Sequence, residues 1–297
     1  MQHAIIPMDF SGLPGWRLRW GAAQLDICQQ GAQILSYWPD LELPPLIWLS
    51  PQAEYERGHS VRGGVPVCWP WFGDIQRNPL AVQQMTTDTA PFHGLARTLD
   101  WQLLSSRSDA EAVQLSLQLD ASQGLTHWPH AARVQLHISL GEQLTLRLEN
   151  HNLGTQPVAI SQALHTYFAV SDVRQVAVQG LGGCAYHETL EQWQFREQVG
   201  ALVCADETDR VYLQVPEQLY IEDPGWQRQI HLQSQGSSSA IVWNPGVEKS
   251  KTLSGFASTA WQQMLCIESA NVLSDHLVLE PGARHCLELK LSCVPMA

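Results

Sequence analysis

The feature that most constrains the fold of this chain is a repeated alternation of apolar and polar residues along short segments. The clearest examples cover residues 113–119, 134–140 and 144–148, in which every second residue is Val, Leu or Ile. Successive side chains of a strand point to opposite faces of a sheet, so this pattern predicts strands with one buried face. The second and third segments are separated only by residues 141–143, which contain a glycine and are predicted to close a hairpin.

The same period recurs at residues 211–215, 230–232, 240–243 and 287–291, whereas helical periodicity is scarce and short. Closely spaced strands with Gly, Pro and Asn turns predict an all-β fold, either a sandwich or a barrel, rather than a parallel α/β sheet. Because no shift of composition or Ser/Pro-rich linker divides the chain, residues 1–297 are predicted to form one domain.

Composition and charge exclude several classes of protein. The chain is 44% hydrophobic and only 15% charged, which excludes a disordered acidic chain. Its net charge of −12 disfavours a nucleic-acid partner, because binding to the phosphate backbone needs a broad basic face. No apolar run reaches the length of a membrane span, and the first residues lack the order of a signal peptide, so we expect a cytoplasmic protein without a membrane partner.

Three local patterns suggest cofactors or cross-links, and the sequence argues against each. The seven cysteines form no C-x-x-C pair, which disfavours a disulfide framework or a zinc ribbon and favours buried free thiols. Residues 180–185 match the dinucleotide pattern G-x-G-x-x-A, but a half-polar strand precedes them and strands follow, so a glycine-rich turn is favoured. His127 and His130 are interrupted by Pro129 and have no further ligand nearby. We therefore expect no metal and no cofactor.

Two loops bring arginines together with glycines and a histidine. Arg62 precedes a glycine pair and an aromatic and proline run at residues 65–73, and His93 and Arg97 lie within five positions of one another. Guanidinium groups match phosphate and carboxylate oxygens, and glycines let a ligand approach the backbone closely, so the loops predict an anion pocket. The alternative is a pair of surface arginines, each paired with an acidic residue.

Two apolar strand-like segments carry buried titratable groups. His165 shares a face with Tyr167 in the first segment, and Glu268 shares one with Cys266 in the second. Burial is expected to raise the pKa of the carboxyl group, and a neighbouring acid is expected to hold the imidazole protonated, so the two could act as base and acid near neutral pH. A satisfied core histidine and a structural glutamate would explain each residue separately.

Six motifs in chain order resemble those of the hexose-6-phosphate 1-epimerases, a branch of the aldose 1-epimerase superfamily. They are RGGVPVCWPWFG at 62–73, HGLAR at 93–97, ALHTYF at 163–168, ETDRVYL at 207–213, VWNPGVEKS at 242–250 and CIES at 266–269. The resemblance extends from about residue 20 to the C-terminus and implies a large antiparallel β-sandwich of the galactose-mutarotase type. It also implies an isomerase that interconverts the α and β anomers of a hexose 6-phosphate, with glucose 6-phosphate as the first choice.

The resemblance assigns roles to individual residues. His165 is expected to give a proton to the ring oxygen O5, and Glu268 to remove the proton of the C1 hydroxyl. The remaining positions bind the substrate: Arg62 and Arg97 its 6-phosphate, Asp209 its hydroxyls, and His93 the sugar or its ring oxygen.

Other expectations concern specificity and partners. Phe92 stands where some relatives carry a polar side chain, which removes one contact to the sugar, and Trp71 is a candidate stacking surface. No cofactor, metal, nucleic acid or membrane is needed, and we expect a monomer. Two alternatives remain open: a mutarotase of unphosphorylated aldoses, and a carbohydrate-binding protein without catalysis.

Overall fold

The computed structural model describes residues 3–87 and 90–296, and strands dominate this part of the chain. The strands are β1 Ala4–Phe10, β2 Leu13–Trp20, β3 Ala23–Cys28, β4 Ile34–Trp38, β5 Val67–Cys68, β6 Gln102–Ser108, β7 Val113–Ala121, β8 Ala132–Leu140, β9 Leu144–Asn152, β10 Val158–Ile160, β11 Gln162–Leu164, β12 Tyr167–Ala169, β13 Ala177–Gln179, β14 Ala185–Glu188, β15 Gln194–Glu197, β16 Thr208–Leu213, β17 Gln218–Asp223, β18 Arg228–Gln235, β19 Ser239–Asn244, β20 Met264–Asn271, β21 Leu277–Leu279 and β22 Arg284–Pro295.

Helices are short, as the sequence predicts. The α-helices are α1 Leu80–Gln83 and α2 Gly246–Ser250, and the 3-10 helices are Ile75–Arg77, Ala96–Thr98, Thr189–Glu191, Pro224–Trp226, Ala260–Gln263 and Leu273–Asp275. Within the described ranges, no helix has the length and apolar character needed to cross a membrane.

Two eight-stranded antiparallel sheets form the sandwich, so the predicted all-β class is confirmed. The first has the order β13-β17-β18-β22-β9-β8-β7-β6. The second has the order β15-β14-β16-β19-β20-β11-β5, with β12 also paired to β20. Their inner faces share one hydrophobic core, to which Leu136 and Leu146 contribute from the first sheet and Val242 and Ile267 from the second. A four-stranded sheet, β1-β2-β3-β4, and the pair β10-β21 complete the architecture.

The first sheet follows the sequence pattern closely. In β8 every second residue is buried and those between are half-buried, and β7 and β9 show nearly the same alternation. Residues 141–143 close the hairpin between β8 and β9, with the pair Leu140 and Leu144 at its end. The polar face of these strands looks outward, which is why the alternation was readable from the sequence.

The second sheet is different, because its central strand is buried on both faces. Every residue of β20 is buried, and β19 is buried at all positions except Trp243. One face of these strands lies on the core, and the other forms the floor of a pocket. Glu268 lies on the pocket face, which explains a charged residue inside an otherwise apolar strand.

Two further patterns have the predicted structural form. Residues 180–184 are a turn between β13 and β14, which belong to different sheets, and Gly180 and Gly183 adopt φ of 98° and 83°. This antiparallel setting has neither the parallel strand nor the crossover helix of a dinucleotide site. All seven cysteines lie in the described residues and are free thiols. Four are buried as predicted, whereas Cys184, Cys286 and Cys293 are half-buried.

Candidate active site

The register of the second sheet places His165 opposite Glu268. Strand β11 pairs Leu164 with Ser269, and β12 pairs Tyr167 with Cys266, so the residues between them face each other across neighbouring strands. Side chains directly opposite in an antiparallel pair lie on the same face. As a result, Nε2 of His165 is 3.4 Å from Oε1 of Glu268, and the two residues are only 8% and 1% exposed.

Asp209 reaches the same face from the other side of the floor. Strand β16 pairs Asp209 with Trp243 of β19, and β19 in turn pairs Ile241 with Glu268 of β20. The carboxylate of Asp209 therefore lies diagonally across the floor from that of Glu268. Thr189 donates a hydrogen bond of 2.9 Å from its hydroxyl to the backbone carbonyl of Asp209, which ties this strand to the rim.

A cavity of about 600 Å³ opens above this floor and is lined by all six residues to which the resemblance assigns a role. A pocket of this size is typical of a small-molecule site. The six are Arg62, His93, Arg97, His165, Asp209 and Glu268.

The charges in the pocket differ from the sequence expectation at one residue. Burial and the charge of Asp209 raise the pKa of Glu268 well above its ordinary value, as expected. The pKa of His165, in contrast, is lowered to about 3 by burial and then by the charges of Arg97 and Arg62. The expectation that the neighbouring acid holds the imidazole protonated is therefore wrong for the ligand-free site, because desolvation and two guanidinium groups outweigh one carboxyl group.

The raised pKa of Glu268 and the lowered pKa of His165 both favour a proton on the carboxyl group rather than on the imidazole in the ligand-free site. A neutral imidazole beside a protonated carboxyl group has the same net charge as an imidazolium beside a carboxylate, so the two states differ only in where that proton sits. Nδ1 of His165 and Oε2 of Glu268 are buried and have no hydrogen-bond partner among the described residues.

His93 is held as a neutral hydrogen-bond donor. The backbone N–H of Gly73 donates to its Nδ1 at 3.1 Å, so Nε2 carries the proton of the neutral ring. Burial, together with the charges of His165, Arg97 and Arg62, lowers the pKa of His93 well below its ordinary value. Its ring lies edge-on to that of His165, with centroids 5.3 Å apart. His93 can therefore offer an N–H to a ligand beside His165.

The two arginines are held by backbone carbonyls rather than by carboxylates. Nε of Arg62 donates to the carbonyl of Ser254 at 3.2 Å, and Nη2 of Arg97 donates to that of Phe92 at 2.6 Å. In the described part of the chain, neither guanidinium forms an ion pair with an acidic side chain. The alternative of two paired surface arginines is therefore not what the structure contains, and both charges are available to an anion.

The glycines beside Arg62 serve the scaffold rather than the ligand. A side chain at Gly63 would lie 2.8 Å from the backbone of Trp48 and Leu49, and one at Gly64 would lie 2.0 Å from the carbonyl of Ile34. The close approach that these glycines permit is therefore to neighbouring backbone. It fixes the segment from which Arg62 reaches the pocket, which corrects the expectation that a ligand lies against them.

The sequence-based prediction of an aromatic stacking surface in the pocket was wrong for one residue. Trp71 is fully buried and donates from Nε1 to the carbonyl of Pro91, so it is not a stacking surface. The tryptophans that line the pocket are Trp243 and Trp193, and Phe72, Phe92 and Tyr167 line it as well. Trp193 lies between β14 and β15 with φ of 61°, and nothing in its local sequence marked it. Phe92 lies at the mouth, 58% exposed, and its carbonyl holds Arg97 as described above.

The described residues offer no arrangement of three or more His, Cys, Asp or Glu suited to a metal ion. His130 contacts the carbonyl of Met85 through Nε2 at 2.9 Å, away from the pocket described above. The chemistry available in the pocket is thus proton transfer between a buried carboxyl group and a buried imidazole, beside two free guanidinium groups.

A buried carboxyl group in contact with an imidazole in such a pocket is typical of enzymes that work by proton transfer, and comparison with known proteins identifies the family. A family model described as aldose 1-epimerase matches residues 16–292. The chain belongs to the aldose 1-epimerase family and is an epimerase, that is, an isomerase.

Relatives with assigned names are of the same kind. The chain is 34% identical over 257 residues to a protein of Escherichia coli K12 named "Putative glucose-6-phosphate 1-epimerase", covering 86% of this chain and 82% of that protein. A protein of Cenchrus ciliaris with the same name is 31% identical over 281 residues, covering 91% and 81%. A solved structure from Salmonella typhimurium, titled as a "putative mutarotase", superposes with a TM-score of 0.87 at 25% identity and covers 98% and 94% of the two chains.

Proposed function

We propose that this protein interconverts the α and β anomers of a hexose 6-phosphate, with D-glucose 6-phosphate as the substrate of first choice. The observation that carries the proposal is the contact of 3.4 Å between Nε2 of His165 and Oε1 of Glu268. The same pocket holds the guanidinium groups of Arg62 and Arg97, which form no ion pair with the acidic residues that the structure describes. The names of the relatives support the same substrate. We further infer that residues 1–297 act as one domain, since both sheets share one core.

The reaction follows from proton transfers at two substrate oxygens. His165 gives a proton to the ring oxygen O5 while Glu268 takes the proton of the C1 hydroxyl, and the C1–O5 bond breaks to give the open-chain aldehyde. Rotation about C1–C2 then presents the other face of the carbonyl group. Reclosure returns the O5 proton to His165 and the Glu268 proton to O1, so the opposite anomer forms and the enzyme is restored.

The other residues bind and orient the substrate. Arg62 and Arg97 take the phosphate, since both are charged and neither is paired with an acidic side chain among residues 3–87 and 90–296. Asp209 accepts hydrogen bonds from sugar hydroxyls, and His93 donates one from Nε2 to a sugar or ring oxygen. Trp243, which lies edge-on to His165 with ring centroids 6.3 Å apart, provides an apolar wall for the pyranose.

The decisive experiment is exchange NMR of anomer interconversion with each sugar in its phosphorylated and free form. We expect the purified protein to accelerate exchange of glucose 6-phosphate far above the spontaneous rate, and that of glucose much less. Equal acceleration of both sugars would favour a mutarotase of unphosphorylated aldoses. Binding of both sugars without acceleration would favour a carbohydrate-binding protein instead.

A further inference from the structure

The region around His165 is unusual for a general acid, because its neighbours are mostly cationic or neutral. The titratable groups that line the pocket with it come from every packed segment. They are Arg62 before β5, Asp74 and Arg77 at the 3-10 helix Ile75–Arg77, His93 and Arg97 between α1 and β6, Tyr167 from β12, Asp209 from β16, Lys249 from α2 and Glu268 from β20. Of the acidic groups among them, only Glu268 contacts the imidazole.

The usual support for an imidazolium is missing at the second ring nitrogen. A histidine that must carry a proton commonly donates its other N–H to a carboxylate. Nδ1 of His165 is buried and has no hydrogen-bond partner among the described residues. The ring instead lies face to face with Tyr167, with centroids 4.8 Å apart. Within the described ranges, no acidic side chain forms a hydrogen bond or an ion pair with this nitrogen.

The two guanidinium groups act unequally on the proton-transfer pair. Burial is the largest cause that disfavours a charged His165, and the charges of Arg97 and Arg62 add to it, whereas the pKa of Glu268 is raised by burial and by Asp209. A dianion bound by the arginines would offset their contribution at the imidazole. This favours the state in which the proton lies on Nε2 of His165 rather than on Glu268, which leaves the net charge of the pair unchanged and provides the acid and base that ring opening needs.

We propose that the substrate's own phosphate, bound by Arg62 and Arg97, is what allows His165 to hold the proton that it gives to O5. This inference rests on the proposed function and adds a second role for the phosphate. The phosphate group serves as an anchor and also as the counter-charge that the protein does not provide. Binding energy gained at the phosphate, which does not react, thus lowers the barrier to ring opening.

The proposal predicts that an anion supplied separately will activate turnover of an unphosphorylated sugar. The test is anomerisation of α-D-glucose with increasing phosphite dianion, up to concentrations that competitively inhibit turnover of glucose 6-phosphate. Phosphite itself accelerates mutarotation, so the rate measured with the Glu268→Gln protein at each concentration is subtracted. We expect saturable activation of about tenfold or more, since each unit of pKa changes the protonated fraction tenfold.

Variants of the pocket arginines show which of them are needed for activation by phosphite. Activation should be lost in the Arg62→Ala, Arg97→Ala double variant and kept in Arg77→Ala, which removes an exposed arginine that lines the same pocket near Trp193. Loss in Arg77→Ala with retention in the double variant would overturn the proposal. A direct readout is the NMR titration of His165, assigned with His165→Gln: phosphite should raise its pKa in the wild type and not in the double variant.

The outcomes separate this inference from the function on which it rests. No acceleration with glucose 6-phosphate would contradict the proposed function itself. Rapid turnover of glucose 6-phosphate, with phosphite that inhibits it competitively yet leaves glucose turnover unchanged, would contradict only the counter-charge role. Failure of phosphite to inhibit at any concentration would contradict the assignment of the anion site to these arginines.

Discussion

The rings of His165 and Tyr167 lie parallel, with centroids 4.8 Å apart and planes only 7° from each other. On its other side, Tyr167 stacks on Trp48 with centroids 5.8 Å apart, and Trp243 meets both Tyr167 and His165 edge-on. The plane of the imidazole is therefore fixed by packing rather than by a hydrogen bond to Nδ1. Tyr167 is accordingly a positioning residue, which acts through His165.

Substitutions at Tyr167 should separate the effect of its ring, which stacks on His165, from the effect of its hydroxyl group. Tyr167→Phe keeps the stacked ring, and we expect kcat to change by no more than a few fold. Tyr167→Leu removes the stack, and we expect kcat to fall about tenfold, because such aromatic pairs contribute about 0.5–1.5 kcal/mol. Anomer exchange and thermal melting are measured together. An unchanged kcat in a folded Tyr167→Leu protein would show that the stack does not position His165.

Removal of the buried carboxyl group should abolish turnover and spare binding. Glu268→Gln keeps the shape of the side chain and loses the proton acceptor, so we expect kcat to fall roughly 10²–10⁴-fold while the affinity for glucose 6-phosphate changes little. Exchange NMR and calorimetric titration provide the two readouts. Parallel loss of turnover and binding would indicate a structural glutamate.

Removal of the arginines should distinguish phosphorylated from free sugars. Arg62→Ala together with Arg97→Ala should reduce kcat/KM for glucose 6-phosphate by a hundredfold or more, since hydrogen bonds to charged groups contribute about 1.5–3 kcal/mol each. The matched control is Arg107→Ala, which removes an exposed arginine that pairs with Asp109 at 2.8 Å. Retention of full activity on the phosphorylated sugar in the double variant would contradict the phosphate assignment.

Asp209 should introduce a pH dependence into substrate binding. Burial is the largest cause that raises the pKa of Asp209, to about 6, so its carboxylate is lost as the pH falls through that value. We expect the KM for glucose 6-phosphate to rise below pH 6 in the wild type. Asp209→Asn should have a higher KM at pH 8 and a weaker dependence below it. The substrate's phosphate titrates in the same range in both proteins, so the difference between the two profiles isolates Asp209.

Glu268 should make the protein less stable as the pH rises. Its pKa is raised in the folded state, so the native protein binds the proton more tightly than the unfolded chain does. The resulting stabilisation is complete below the unfolded pKa of about 4.3 and is lost as the pH rises through the folded pKa. The Tm of Glu268→Gln should therefore exceed that of the wild type by a margin that grows between pH 5 and 9. A constant or shrinking margin would show that Glu268 is not protonated in the native state.

The sequence predicted the outer parts of this molecule better than its centre. Strands β7, β8 and β9 have one face toward solvent, so the alternation of apolar and polar residues could be recognised in the sequence. The turn at residues 141–143 was predicted because only three residues, one of them a glycine, separate two alternating segments. Strand β20 is buried on both faces and shows no alternation, so its apolar run alone did not reveal that one side is a pocket floor.

The pocket itself could be predicted only in part. The resemblance brought six residues together, and the structure places all of them around one cavity. The lowered pKa of His165 could not be inferred from neighbours in sequence, because it depends first on burial and then on Arg97 and Arg62, which come from distant loops. Trp193 was missed for the same reason: it reaches the pocket from the β14–β15 connection at the edge of the sheet.

The position of Glu268 in the middle of β20 has a consequence for how this site can change. Hydrogen-bonded strands flank β20 on both sides. The two groups proposed to transfer protons, His165 and Glu268, therefore cannot shift without disrupting the sheet. The rim, in contrast, is made of connections such as those that carry Arg62, Phe92 and Trp193. New sugar preferences can therefore be engineered by exchanging these loops, while the reaction centre stays as it is.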